Sequence, residues 1–119
     1  MNGRNTCMGI YEFSEENKRL FNNIIKPLVE SHTGLTYVDA MSYYESNTIK
    51  MDLIKKTIEE SKIIIVDTSI SNPNVFFEFG IGYSLQKPIV LICSRRGFDE
   101  FWKQKMPFDM KGREMLIFN

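Results

Sequence analysis

Ile63-Ile64-Ile65-Val66-Asp67, followed by Asn72-Pro73-Asn74-Val75-Phe76-Phe77-Glu78-Phe79-Gly80-Ile81-Gly82-Tyr83, is the stretch on which the fold turns. Four β-branched residues in a row, without polar alternation, read as a strand buried on both faces, as at the centre of a parallel sheet. Asn72 can cap a helix, and Pro73 suits the first helical position, where its missing N–H costs nothing. The helix predicted from Pro73 to Leu85 is apolar on nearly every side and is expected to be buried. It nevertheless carries Glu78, and an ionised carboxylate among phenylalanines is expensive unless something pairs with it or binds it. Gly80 and Gly82 each add roughly 1 kcal/mol against alanine in a helix interior. Costs gathered in one short element point to a site.

Upstream, Thr6 to Tyr11 reads as a first strand. Ser14 offers an N-cap, with Glu15 and Glu16 in the first turn, where the helix dipole favours negative charge. Leu20, Phe21, Ile24, Ile25, Leu28 and Val29 then recur as one helical stripe. Pro27 is expected to bend that helix or to loosen a backbone bond near Asn23. Gly34 marks the exit, and Leu35 to Asp39 is a brief second strand. After a polar connection, Met41 to Asn47, the residues Ile49, Leu53, Ile54 and Ile58 repeat at helical spacing. Downstream, Lys87-Pro88 leads into a buried strand, Ile89 to Cys93. Gly97 opens a short helix with Phe98, Phe101 and Trp102, and Met115 to Phe118 is a last strand.

Five strands alternating with four helices argue for an α/β fold with a parallel sheet. The expected architecture is a flavodoxin-like or Rossmann-like three-layer sandwich over a single domain, residues 1–119, with strand order 2-1-3-4-5. That order puts the first helix alone on one sheet face and the next three on the other. The final helix that would complete the first face is missing. Apolar sheet near strands four and five is therefore expected to be covered by another copy, a homo-oligomer, or by the rest of a longer chain.

Fifteen basic and fifteen acidic side chains cancel, so bulk charge recruits neither nucleic acid nor membrane. No apolar run approaches the ~20 residues that span a bilayer, and the first residues lack the apolar core of a signal peptide. Cys7 and Cys93 sit in strand-like runs and read as small core residues of a reducing, cytoplasmic protein. With one histidine, His32, in a turn-like stretch, there is no metal-ligand spacing and no Ser/His/Asp set. No metal or cofactor is expected. No phosphate-binding glycine fingerprint follows a strand, since Gly80-x-Gly82 lies inside a helix.

In such sheets ligands bind outside the carboxyl ends of the strands, where strand order reverses, here between strands one and three. The residues at those ends are Tyr11, Phe13 and Ser14, Asp39, Asp67 to Asn74, Ser94 to Arg96, and Asp109. Glu78 shares a helix face with Asn74 and Gly82. A carboxylate in an apolar pocket can be a nucleophile at a sugar carbon or stabilise an oxocarbenium-like transition state. Asp67 or Asp39 can hold a ribose hydroxyl or handle a proton, Asn72 and Asn74 can orient Glu78 or a ligand hydroxyl, and Tyr37, Tyr43 and Tyr44 can stack on a base. Equally, Glu78 can bond backbone donors and Asp67 can cap a turn. On the residues alone both readings stand.

Asp67-Thr68-Ser69 with Asn72-Pro73-Asn74-Val75 running on to Glu78, Gly80 and Gly82 resembles the signature of the nucleoside 2-deoxyribosyltransferase-like superfamily. Lys87-Pro88-Ile89-Val90-Leu91-Ile92 is similar to the strand that follows it there. Pro107-Phe108-Asp109-Met110 with Arg113 resembles a segment of small bacterial members, and Phe13-Ser14-Glu15-Glu16 with Ile24-Ile25-Lys26-Pro27 their amino-terminal motif. Four separated motifs occur in order over most of the chain, and the same glutamate logic extends to TIR-like NAD-cleaving domains.

The resemblance implies cleavage or transfer at the N-glycosidic bond of a nucleoside, nucleotide or NAD-like ligand, with Glu78 as the catalytic glutamate and Tyr11 beside the carboxylate or the sugar. Asn72 stands where transferases often have a base-recognising aspartate, and an amide cannot trade a proton as an acid does. Glu12 stands where a proline is common, and its charge would oppose a 5′-phosphate. The other function in view is a nucleotide-sensing, self-assembling TIR-like module of a defence or signalling system, with little or no turnover.

Overall fold

The computed structural model describes residues 5–40, 50–103 and 115–119. Strands β1 (Thr6–Ile10), β2 (Thr36–Asp39), β3 (Ile63–Asp67), β4 (Ile89–Ser94) and β5 (Met115–Phe118) form one parallel sheet in the order β2-β1-β3-β4-β5. Strand order reverses at β1, whose Ile10 lies opposite Val66 of β3 and whose Gly9 lies opposite Asp39 of β2. The architecture is the three-layer α/β fold expected from the alternation of apolar runs and capped helices.

Helices α1 (Glu15–Leu20) and α2 (Lys26–Thr33) are one rod joined by a wide π turn, Phe21–Ile25. Ser14 caps it, its hydroxyl accepting from the Asn17 N–H at 3.2 Å. In the π turn the Lys26 N–H donates to the Phe21 carbonyl, five residues back. Pro27 has no N–H to give Asn23, and the wide turn accommodates its ring. The extra residue also shifts the helical phase. Phe21 and Val29 are buried, whereas Ile24 and Leu28, expected on the same stripe, are 52% and 51% exposed. Gly34 ends the rod at φ +74°, a left-handed conformation that glycine takes without strain.

This rod covers one sheet face, where Phe21 and Val29 pack with Cys7, Tyr11, Tyr37 and Ile92. The opposite face carries α3 (Lys50–Glu60) and α4 (Pro73–Ser84). Ile54 and Ile58 of α3, with Val75 and Phe79 of α4, close over Met8, Ile10, Ile64, Val66 and Leu91. A short helix α5 (Arg95–Gly97) runs into a π turn, Phe98–Trp102, whose indole meets Phe76 of α4 edge-on at 5.4 Å. On the α1 side the cover reaches Ile92 of β4, which joins the Phe21 and Val29 cluster, and thins beyond it. Val90 and Phe118 are half-buried there and Leu116 is 57% exposed. No helix among the described residues is long and apolar enough to cross a membrane.

Helix α4 is less enclosed than its composition predicts. Val75, Glu78, Phe79 and Gly82 form its inner face, but Phe77 and Tyr83 are 56% and 48% exposed. Its two glycines differ in purpose. A Cβ on Gly82 would lie 2.8 Å from Ile64, so its absence lets the helix approach the sheet, while a Cβ on Gly80 would meet open space.

Candidate active site

A side-chain hydrogen bond joins the segment after β1 to the segment after β3, across 60 residues. Asn72 caps α4, its Oδ1 accepting from the N–H groups of Asn74 at 2.8 Å and Val75 at 3.1 Å. That fixes the amide, and its Nδ2 donates to Glu12 Oε2 at 3.2 Å. Glu12 is itself held by its backbone carbonyl, which accepts from the Ser14 N–H at 2.8 Å and from Asn17 Nδ2 at 2.9 Å. The two residues that depart from the resembled motif are therefore hydrogen-bonded to each other. Sequence separation hid this pair; the joint departure was its one available signal.

Glu78 lies just over one turn into α4, on its inner face and 8% exposed. A Cβ at Gly82, one turn further along that face, would meet Ile64 of β3, Ile89 of β4 and Ile58 of α3, while Phe76, on the other side of the helix, turns to Trp102. Glu78 therefore lies on the side of α4 that is turned to the sheet. No hydrogen bond or ion pair holds its carboxylate among the described residues. Burial alone pushes its acid up from 4.5 to about 7.

Asp39, Tyr11 and Asp67 occupy the other face. By strand alternation and register they line up on the α1 side of β2, β1 and β3. Asp39 Oδ2 accepts from Tyr11 Oη at 2.8 Å and from Tyr37 Oη at 2.9 Å. Tyr11 stacks on Phe21 with ring centres 4.1 Å apart. Tyr37 is buried, and burial, with the Asp39 charge beside it, holds its phenol far above the ordinary range. Tyr37 is thus an anchor for Asp39 and is not a face on which a base can stack. Gly9 makes this arrangement possible, since a Cβ there would fall 2.2 Å from the Tyr37 hydroxyl.

Asp67 is 3% exposed; its Oδ1 accepts from the Ser69 N–H at 2.8 Å, while its Oδ2 is buried without a partner among the described residues. Burial raises its acid, the Ser69 hydrogen bonds oppose this, and the charge of Glu16 adds to the rise. The loop after it is braced by Ser69 Oγ accepting from the Ser94 N–H at 2.7 Å and by Trp102 Nε1 donating to the Thr68 carbonyl at 2.6 Å.

Phe13, just after β1, packs against the cores of both faces. Asn74 is exposed, one turn before Glu78 on the same helix face. Ser14 is committed to its cap. Asp109, Tyr43 and Tyr44 lie outside the described residues. The expected residues thus meet at one end of the sheet but in two groups, a lone glutamate on one face and a bonded tyrosine–aspartate set on the other.

No protein-family model matches the chain, and no curated protein matches it in sequence. In three dimensions it is similar to the Clostridium botulinum CMP N-glycosidase BcmB, with a TM-score of 0.57 and 16% identity over 96% of this chain and 89% of that one. The likeness is one of fold.

Proposed function

We propose that this chain cleaves the N-glycosidic bond of a nucleoside, nucleotide or NAD-like ligand, with Glu78 as the group that meets the sugar carbon. One observation carries the reading: a carboxylate is buried on the inner face of α4, with no protein partner among the described residues to offset the cost. A positively charged sugar transition state supplies the missing partner. As the C1′–N bond breaks, its electron pair leaves with the base. Glu78 either forms an ester at C1′ that water then hydrolyses, or holds the cation while water adds directly. Asp39, fixed by two phenols, and Asp67, with one oxygen unbonded, are suited to sugar hydroxyls and to proton exchange. The fold shared with an enzyme described as a CMP N-glycosidase supports the same chemistry.

Incubation with nucleosides, their 5′-monophosphates and NAD, with free base followed by chromatography, tests this. Base release by the native chain that Glu78→Gln abolishes supports it. The rate is expected to rise with pH through about 7, as the Glu78 carboxylate ionises; a rate that falls over that range would make Glu78 a general acid instead.

A nucleotide-sensing, self-assembling module is the second reading. Leu116 exposed on the sheet and Ile24 and Leu28 exposed on the helical rod favour it. Tight ligand binding with no base release, together with self-association in sedimentation, would select it.

A further inference from the structure

Resting on the glycosidase reading, which gives Asp67 a part in proton exchange, we infer that Trp102 is a positioning residue that holds the Asp67 carboxylate through the Thr68–Ser69 peptide. A trans peptide unit is planar, so its carbonyl and its N–H point to opposite sides. In this one the Thr68 carbonyl accepts from Trp102 Nε1 at 2.6 Å, and the Ser69 N–H donates to Asp67 Oδ1 at 2.8 Å. The indole and the carboxylate therefore grip the same rigid plate from its two sides. Hydrogen bonds in line polarise one another, so a donor on the carbonyl makes the N–H beyond it a stronger donor. The indole thus both aims the Ser69 N–H and strengthens it. With Oδ1 held, Asp67 Oδ2 is presented in one direction, buried and without a partner among the described residues.

The plate has little freedom to drift. The Thr68 N–H and Oγ1 both donate to the Ile92 carbonyl, at 2.9 Å and 3.2 Å, and Ser69 Oγ accepts from the Ser94 N–H at 2.7 Å. Any side chain at Gly97 would collide with the Ser69 backbone, so α5 lies directly against the loop. Trp102 is itself seated, buried between this loop and Phe76 of α4, whose ring it meets edge-on at 5.4 Å. Of the contacts made by Thr68, the indole bond is the one that acts on the peptide N–H given to Asp67. The titratable and charged groups beside Asp67 are Glu16 of α1, Tyr11 with Asp39 at the ends of β1 and β2, Cys93 of β4 and, next to that thiol, Arg95 of α5. A change at Trp102 leaves all of them in the chain.

The test follows the Asp67 carboxyl carbon and the Ser69 amide proton by NMR through a pH titration. Trp102→benzothienylalanine keeps the shape of the ring and puts sulfur where the N–H was; Trp102→Phe removes the N–H with part of the ring. Both are expected to shift the Ser69 amide proton upfield and to move the Asp67 titration to higher pH, since a weaker donor favours the carboxylate less. Phe76→Leu loosens the seat of the indole but keeps its N–H, and should lower stability while leaving both signals in place. In base release both Trp102 variants should lose about tenfold in kcat with KM within about twofold, the mark of a displaced reacting group. An Asp67 titration unmoved by the sulfur analogue, an equal shift in Phe76→Leu, or base release at the native kcat by both Trp102 variants would each overturn the inference. Absence of base release from every protein, the native chain included, removes the glycosidase reading alone, because the NMR titration still judges the hold of Trp102 on Asp67.

Discussion

Glu78 and Asp39 are both carboxylates set close to the same edge of the same sheet, and the fold treats them in opposite ways. Asp39 sits on the α1 face with two phenols donating to one oxygen, one of them stacked on Phe21 and the other buried. Its charge is accounted for. Glu78 is buried on the inner face of α4, with no donor among the described residues, and its acid rises to about 7. Where every polar atom has a partner the arrangement holds a shape; where one is left over it is ready to bind something. The first is a frame, the second the proposed reactive position.

The comparison breaks most sharply on activity. Glu78→Gln keeps the shape of the side chain and is expected to lower base release by at least about 10³-fold, as loss of a nucleophile does. An effect smaller than tenfold would put the chemistry on the Asp39 face instead.

Stability gives the next largest contrast. The folded chain holds the Glu78 proton more tightly than the unfolded chain does, so stability is lost as pH rises from about 4.5 through about 7. Glu78→Gln escapes that loss. At pH 8.5 it should be more stable than the native chain by about 3 kcal/mol, with the gain gone near pH 4. Urea titrations at the two pH values measure this, and an equal difference at both would mean that the carboxylate has a partner after all.

On the other face, Gly9→Ala drives a methyl group into the Tyr37 hydroxyl and Phe21 and is expected to cost about 2 kcal/mol at any pH between 5 and 8. The smallest effect is expected from Tyr37→Phe. Asp39 keeps Tyr11, so about 1 kcal/mol is lost. A larger loss would show that the two phenols act as a unit, which Tyr11→Phe and the double variant would quantify.

Much of the fold was legible because its signals are local. Ile63–Val66 and the Ile89 run declare buried parallel strands, Asn72-Pro73 and Ser14 declare helix starts, and their order leaves few topologies. The site was legible only in its parts. Glu78 stood out as a charge in apolar sequence, but which sheet face each residue joins depends on strand register, and this sets Tyr11 and Asp39 apart from Glu78. Tyr37, offered as a stacking platform, shares a face with Asp39 through the two-residue period of β2 and is consumed there. The hydrophobic stripe of the first helix failed at Ile24 and Leu28 because a uniform period cannot anticipate the π turn before Pro27. Contacts such as Glu12 with Asn72, 60 positions apart, have no local signature.

The bond from Trp102 to the Thr68 carbonyl has a use beyond bracing the loop. Trp102 is the only tryptophan in the chain, and its ring also rests against Phe76, two residues before Glu78. Its emission therefore comes from one known place, the back wall of the helix that carries the candidate catalytic group. The colour and lifetime of that emission will follow any shift of the loop during ligand uptake, so the molecule contains its own optical reporter and needs no attached dye.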